Sequence, residues 1–517
     1  FEKARVYWQK AKGLSEEAAL LELLSISSGS GDEMVWSCDE LLFTYEKALG
    51  CAHKTKDKYL IGNALDMLAY ASFWKAFGTE DPDKRAEILQ RALQYAEDAK
   101  HLFSPISFIS SRGDAFWTGV PYAEYCWELA YWETDLRKRH DLLEKAITDG
   151  TNAIKLAEST GYPNIMIYAH HILSKSLGSL AQMETNSEEK RRLLEKAMEH
   201  RKESVRITEQ VQPFTYWNLG VMWNYLADLR AELSNVSEDS KRRETMLEEA
   251  ISDKKRSLQL CMKENSYWEK RGELSYFAVL GKYQYSYGEF LNHLCMLTNN
   301  NEHQRKAIKA FEEAAGSFQK LNLVSRMAEC YWKAAKGYDA LGEHLKAAEN
   351  FNIVSNNYSS AAEKIPQLKN FYQDYAIYMQ AWSEIEKARD HHVRQEYSSA
   401  EENYEKAAQM HQSLRRWSYL APNYAAWGQV ENAEDLSRKE KSEGVIQSFK
   451  KAAELFNETK KALQTELSEI GNLDEKQMAT NLIKATDLRR EYCIGRIALE
   501  EAKSLDKKGE HYSSSEK

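Results

Sequence analysis

The stretch YWKAAKGYDALGEHLKAAENF, residues 331–351, decides the fold. Its first half sets Tyr331, Ala334, Ala335 and Tyr338 at i, i+3, i+4 and i+7, which is one face of a helix. Gly342 follows, where a helix end needs the left-handed backbone. Beyond it Ala347 and Phe351 stand one turn apart, a small residue and then a large one, as interlocking helices require. The stretch is therefore a helical hairpin.

The second-helix pattern recurs along the chain as a small residue, a variable or aromatic residue four later, and a small one seven later. It is read at Ala92/Ala96/Ala99, Ala146/Gly150/Ala153, Ala307/Phe311/Ala314 and Ala400/Tyr404/Ala407. Looser copies are Leu41/Tyr45/Ala48, Ala197/Arg201/Ser204, Ala250/Lys254/Ser257 and Val445/Phe449/Ala452. The runs RHDLLEKAI (139–147), KRRLLEKAM (190–198) and RRETMLEEAI (242–251) echo one another. Some copies have a matching first helix, such as Tyr216, Leu219, Gly220 and Trp223.

These residues resemble tetratricopeptide repeats, most closely over 300–410. The resemblance implies an all-α superhelical solenoid of antiparallel hairpins, roughly 20 helices for a chain of 517 residues. The period departs from the family. Anchor residues here lie 40 to 57 apart, against about 34 for the standard unit, so the helices or their loops are longer. Three divisions are expected: irregular helical repeats over 1–120, long-helix hairpins over 121–300, and more regular repeats over 301–517. Long helices are expected at 266–298, 367–395 and 474–508. SISSGSGD (25–32) and FSPISFISSRGDAFWTGVP (103–121) break the pattern and read as loops.

Composition agrees with helices. Only 7 Pro and 23 Gly punctuate the chain, too few for the turns of a large β or α/β protein. The net charge is −9, hydrophobic residues make up 43%, and no apolar run approaches a bilayer span. The 7 cysteines are scattered without a CxxC, which reads as reduced thiols in a cytoplasmic protein. The opening FEKA and the closing GEHYSSSEK both read as the interior of a repeat, so a piece of a longer polypeptide is expected.

Catalytic chemistry finds no motif. Gly281-Lys282 lacks the spacing and the strand of a phosphate loop, and Gly-x-Ser-x-Gly, HExxH and EF-hand patterns are absent. Cys51/His53, His293/Cys295, His170-His171 and His391-His392 are spaced so that neighbouring side chains on a helix point apart. No catalytic residue, metal ligand or cofactor is therefore expected. The basic clusters Lys190–Arg206 and Lys241–Arg256 are interleaved with acids, as on a solvated salt-bridged face, and overall acidity opposes nucleic acid.

In a stacked hairpin array the first helices line a groove, and residues beside the packing stripe face it. Those residues are Glu124, Trp127 and Tyr131; Trp217, Asn218, Asn224 and Tyr225; and Trp332, Lys333 and Lys336. Aromatic residues with a few polar handles suit a peptide or partner helix. The expected function is a protein-interaction scaffold. The alternative is the ligand-sensing arm of a larger signalling NTPase or protease.

Overall fold

The computed structural model describes residues 31–79, 81–103, 122–160, 163–211, 216–269, 276–467 and 473–509. Among them each α-helix packs against a neighbour in the chain and no strand occurs, so the protein is an all-α helical-repeat solenoid. Of the loop read at 103–121, Phe103 belongs to the helix from Pro82 and 104–121 lie outside the described residues, as do 25–30 of the loop read at 25–32. Gly31 and Asp32, also read as loop, open the first described helix. No helix among the described residues is long and apolar enough to cross a membrane.

The chain divides into two compact units, Phe1–Asn299 and Asn300–Lys517. In the first, the helices Gly31–Thr55, Lys58–Gly78 and Pro82–Phe103 lead into 122–132, Leu136–Thr160, Pro163–Met183, Ser187–Gln210, Tyr216–Asn235, Ser240–Glu269 and Tyr276–Thr298. Starts are set by side chains that take orphan amides of the first turn. Asp57 accepts from the amides of Tyr59 and Leu60, and Asn186 from those of Glu188 and Glu189. Of the long helix expected over 266–298, residues 266–269 belong to the helix from Ser240, 276–298 are helical, and 270–275 lie outside the described residues.

These helices form two layers. Among the first helices, Phe73 lies 4.8 Å from Tyr125, Trp127 Nε1 donates to Ser179 Oγ at 3.0 Å, and Gln182 donates to Glu232 at 3.2 Å. Across the second helices, Arg242 pairs with Glu195 at 3.2 Å and Arg256 with Glu209 at 2.6 Å. Arg191, Arg192 and Arg206 pair with Glu188, Glu189 and Glu203 three residues away. Many of the basic residues expected on this face are thus matched by carboxylates. Between the layers sit the small residues of the repeat signature: Ala92, Ala96, Ala146, Ala197 and Ala250 are buried.

The second unit repeats the plan with Asn301–Lys320, Val324–Ala340, His344–Lys364, Lys369–Val393, Tyr397–Ser413, Ala421–Arg438, Ser442–Glu466 and Leu473–Lys507. Its hairpins turn through one left-handed residue: Asn322, Gly342, Gln395 and Glu440 all have positive φ. At Gly342 the Glu343 amide bonds the Tyr338 carbonyl at 2.9 Å, and the same six-to-one bond recurs from Glu396 to His391 at 2.8 Å. Helices approach closely where the signature is small. A Cβ on Gly337 would lie 2.6 Å from Ile308 Cγ1.

Candidate functional site

In most units the central position of the second-helix signature is aromatic or small, and Tyr45, Phe311, Tyr404 and Phe449 are buried there. Two consecutive units of the first body place a cation at that position instead. Arg201 and Lys254 are both fully buried. Burying an ionised group is costly unless neighbours compensate it, so the surroundings of these two side chains define the site.

Arg201 reaches between the Pro163–Met183 and Tyr216–Asn235 helices. Its Nε donates to Ser174 Oγ at 3.2 Å, Nη1 to His171 Nδ1 at 2.5 Å, and Nη2 to the His171 carbonyl at 3.3 Å. Its guanidinium lies 5.0 Å from the centre of the Tyr225 ring. Among the described residues no carboxylate pairs with it, and burial pulls its pKa down to about 10. Because arginine only donates, His171 must accept at Nδ1 and carry its proton on Nε2. Burial and then the Arg201 charge hold the His171 pKa well below its usual value, which keeps the ring neutral. His171 meets Tyr225 edge-on at 6.0 Å.

Lys254 is one unit further on. Its Nζ donates to Asp228 Oδ1 at 2.7 Å and to Asn224 Oδ1, while Asn224 Nδ2 donates to Asp228 Oδ2 at 2.9 Å. The rings of Tyr283 and Phe290 lie 5.5 and 5.0 Å from Nζ. Burial lowers the Lys254 pKa, and the Asp228 charge opposes that shift. On the other side of Arg201, Lys175 Nζ sits 3.3 Å from the Trp127 ring centre. Glu124 and Glu128, one turn apart on 122–132, act on Lys175 through their charges.

The first-helix layer of this unit thus brings together Glu124, Trp127, Tyr131 and Tyr225 from the sequence-derived set. Glu124, Trp127 and Tyr225 are half-buried, and Tyr131 is 59% exposed. Tyr131 lies 6.2 Å from Trp127 and 5.1 Å from Trp132. Asn224 is buried and serves as a strut for Lys254. Trp217 and Asn218 fall on the Tyr216–Asn235 helix, but their side chains lie outside the described residues. Lys175 and Asp228 were not singled out by sequence, and His171, Arg201 and Lys254 were read there only as a doublet member and as repeat positions. The visible signal was a charge at the aromatic position of the repeat.

In the second unit Trp332 is half-buried against Tyr375 at 6.4 Å, and the exposed Lys336 covers its ring at 4.7 Å. Lys333 is half-buried beside them. The ring contacts continue from Tyr375 to Trp417 at 5.1 Å and from Tyr378 to Trp417 at 4.3 Å. Beneath them His411 stacks on Tyr424 at 5.1 Å, with neither ring nitrogen hydrogen-bonded, and burial lowers its pKa to about 4.

The histidine doublets go to separate partners. His170 Nδ1 meets His200 Nδ1 at 2.9 Å, His391 meets Glu396 at 2.6 Å, and His392 meets the buried Glu431 at 2.9 Å. Asp339, His344 and Glu386 gather ligand-type atoms within 4.8 Å of one another. Arg389 Nη1 already bonds Asp339 at 2.6 Å and Glu386 at 2.9 Å, so a guanidinium holds the place a cation would take.

No family model and no curated protein matches the chain. Solved structures do. A circular tandem repeat protein is 13% identical over 96% of this chain and 98% of its own, with a TM-score of 0.27. A signal transduction ATPase with numerous domains and a tetratricopeptide repeat sensor, from Pyrococcus horikoshii, is 14% identical over 90% of this chain and 66% of its own, with a TM-score of 0.32. A de novo designed helical repeat protein is 18% identical over 51% of this chain and 96% of its own, with a TM-score of 0.15.

Proposed function

We infer that this chain is a protein-interaction scaffold of tetratricopeptide-like hairpins, and that the first-helix layer of the 1–299 unit binds a peptide or a partner helix. The observation that supports this reading is Arg201. A purely structural repeat needs only an apolar residue at that position, as Phe311 and Phe449 supply elsewhere. Here a desolvated guanidinium is kept, and what it gains is a fixed orientation for His171 and Tyr225 on the layer. Half-buried aromatics held in one rotamer lose little entropy on binding, which is what an interaction hot spot requires. Trp127 is held in the same way by Ser179 and Lys175.

The charges of the layer set the register of a bound chain. Glu124 and Glu128 lie beside Lys175 at one end of the layer and Glu232 stands near Asp228 further along, while Arg201 is fully buried beneath it. A displayed-peptide selection on the immobilised full chain tests the proposal. Selected peptides should bind with micromolar affinity and lose at least about tenfold on Tyr225→Ala or Trp127→Ala. Peptides that bind both variants as tightly as the parent, or no selected peptide at all, would remove the assignment.

A further inference from the structure

His170 and His200 come from the two helices of one hairpin, Pro163–Met183 and Ser187–Gln210. Spacing along either helix says nothing of the pair, and only the fold makes it. Their Nδ1 atoms stand 2.9 Å apart and their ring centres 5.1 Å apart. His170 is buried and His200 half-buried, so the two rings meet just under the surface. In the neutral pair one Nδ1 carries a proton and donates it to the other.

The same spacing suits a metal ion. Zinc takes neutral imidazole nitrogen at about 2.0–2.1 Å in a tetrahedral shell. With the ring centres left 5.1 Å apart and both Nδ1 atoms turned toward one ion, the nitrogens subtend about 105° at the metal. That is close to the tetrahedral angle. A tetragonal copper ion with its ligands at right angles needs ring centres about 4.5 Å apart, so the helices would have to close up around it. For zinc the nitrogens part by only about 0.4 Å, through turns of the rings that use the soft χ2 torsion of histidine. The proton between the rings moves to Nε2 of the ring that held it. Both Nδ1 lone pairs then face the ion, and no proton leaves the pair.

A carboxylate stands within reach. Glu203 follows His200 by one turn on the same helix, and its charge acts on His170. Its two oxygens accept from Arg206, from Nε at 2.8 Å and from Nη2 at 2.5 Å. That ion pair is exposed, with side-chain exposures of 54% and 34%, and exposed pairs contribute little net energy. A divalent ion beside the imidazoles outcompetes it for the carboxylate. Glu199, on the other side of His200, adds a negative charge that offsets Lys196.

We propose that His170, His200 and Glu203 form a zinc site that ties the Pro163–Met183 and Ser187–Gln210 helices together, with water as the fourth ligand. Two imidazoles and one carboxylate are a ligand set that zinc accepts while keeping one exchangeable position. The ion braces the hairpin that carries His171 and Arg201. The site does not depend on a bound peptide, so a failed peptide selection and a failed zinc titration are separate results.

The test titrates zinc chloride into the full chain, stripped beforehand with a chelator, in competition with a zinc-sensitive dye. One ion should bind at neutral pH with a Kd at or below about 10 µM. His170→Ala, His200→Ala and Glu203→Gln should each weaken binding at least about tenfold. His344→Ala, in the separate Asp339 cluster, should leave the affinity unchanged. Should the histidine variants fail to fold, hydrogen exchange of the parent decides. Zinc at about 100 times its Kd should slow exchange at least about tenfold in peptides from the two helices, and not in peptides from Asn301–Lys320. A Kd weaker than about 10 µM, affinity kept in any of the three ligand variants, binding lost in His344→Ala, or exchange unchanged by zinc overturns the proposal.

Discussion

Replacing Arg201 by methionine separates stability from function at the centre of the layer. The guanidinium is fully buried, and its pKa falls from 12.5 to about 10, so the protein holds the charged form at a cost of about 3 kcal/mol. Methionine fills similar volume without that cost. It forfeits the bonds to Ser174 and His171, but His171 is half-buried and water can serve it. Ser174 can turn to the carbonyl one turn earlier in its own helix. With about 1 kcal/mol assigned to those losses, Arg201→Met should stabilise the surrounding helices by about 2 kcal/mol, as buried charges replaced by apolar residues often do. Hydrogen exchange followed by mass spectrometry reads this locally. Peptides from the Pro163–Met183 and Ser187–Gln210 helices should exchange about 30-fold more slowly. The same variant should weaken peptide binding, because His171 and Tyr225 lose their support. Exchange at least tenfold faster than in the parent would refute the reasoning, and would make Arg201 an ordinary structural hub.

Three further outcomes follow from the packing. His411 is fully buried with its pKa lowered from 6.5 to about 4, so the unfolded chain takes up a proton that the folded chain refuses. Its contribution is present above pH 6.5 and is lost as pH falls toward 4, up to about 3 kcal/mol; His411→Phe should remove that part of the acid sensitivity in thermal melts at pH 7 and 4.5. Gly337→Ala should cost about 1–3 kcal/mol, because its Cβ would stand 2.6 Å from Ile308 Cγ1. The double variant with Ile308→Ala should recover at least 1 kcal/mol of that in a mutant cycle by urea unfolding. Lys56 has a φ of 57° with its side chain exposed, so Lys56→Gly should gain about 0.5 kcal/mol and Lys56→Val should lose about 1 kcal/mol by calorimetry.

Much of the fold was legible because it is written locally. Spacing along one helix face and Gly342 at a turn both report on residues within a few positions. Gln395 and Glu440 adopt the same left-handed turn without glycine, which only the closing bonds of the neighbouring helices impose.

The site was less legible, since its contacts are long-range. Arg201 and Lys254 could be seen at an aromatic position, but their partners lie 26 to 30 residues earlier on the preceding first helices. Asn224, read as facing a groove, is buried because Lys254 needs an acceptor there. Trp332 gives part of its surface to Tyr375 of the next hairpin. Lys175 belongs to no motif, and only the folded layer puts Trp127 beneath it.

The most direct measurement places a benzophenone at the centre of a selected peptide, cross-links it to the full chain by light and maps the attachment by mass spectrometry. Attachment should fall on the first helices 122–132, Pro163–Met183 and Tyr216–Asn235. Attachment concentrated on the second helices Leu136–Thr160, Ser187–Gln210 and Ser240–Glu269 would contradict a first-helix interaction layer.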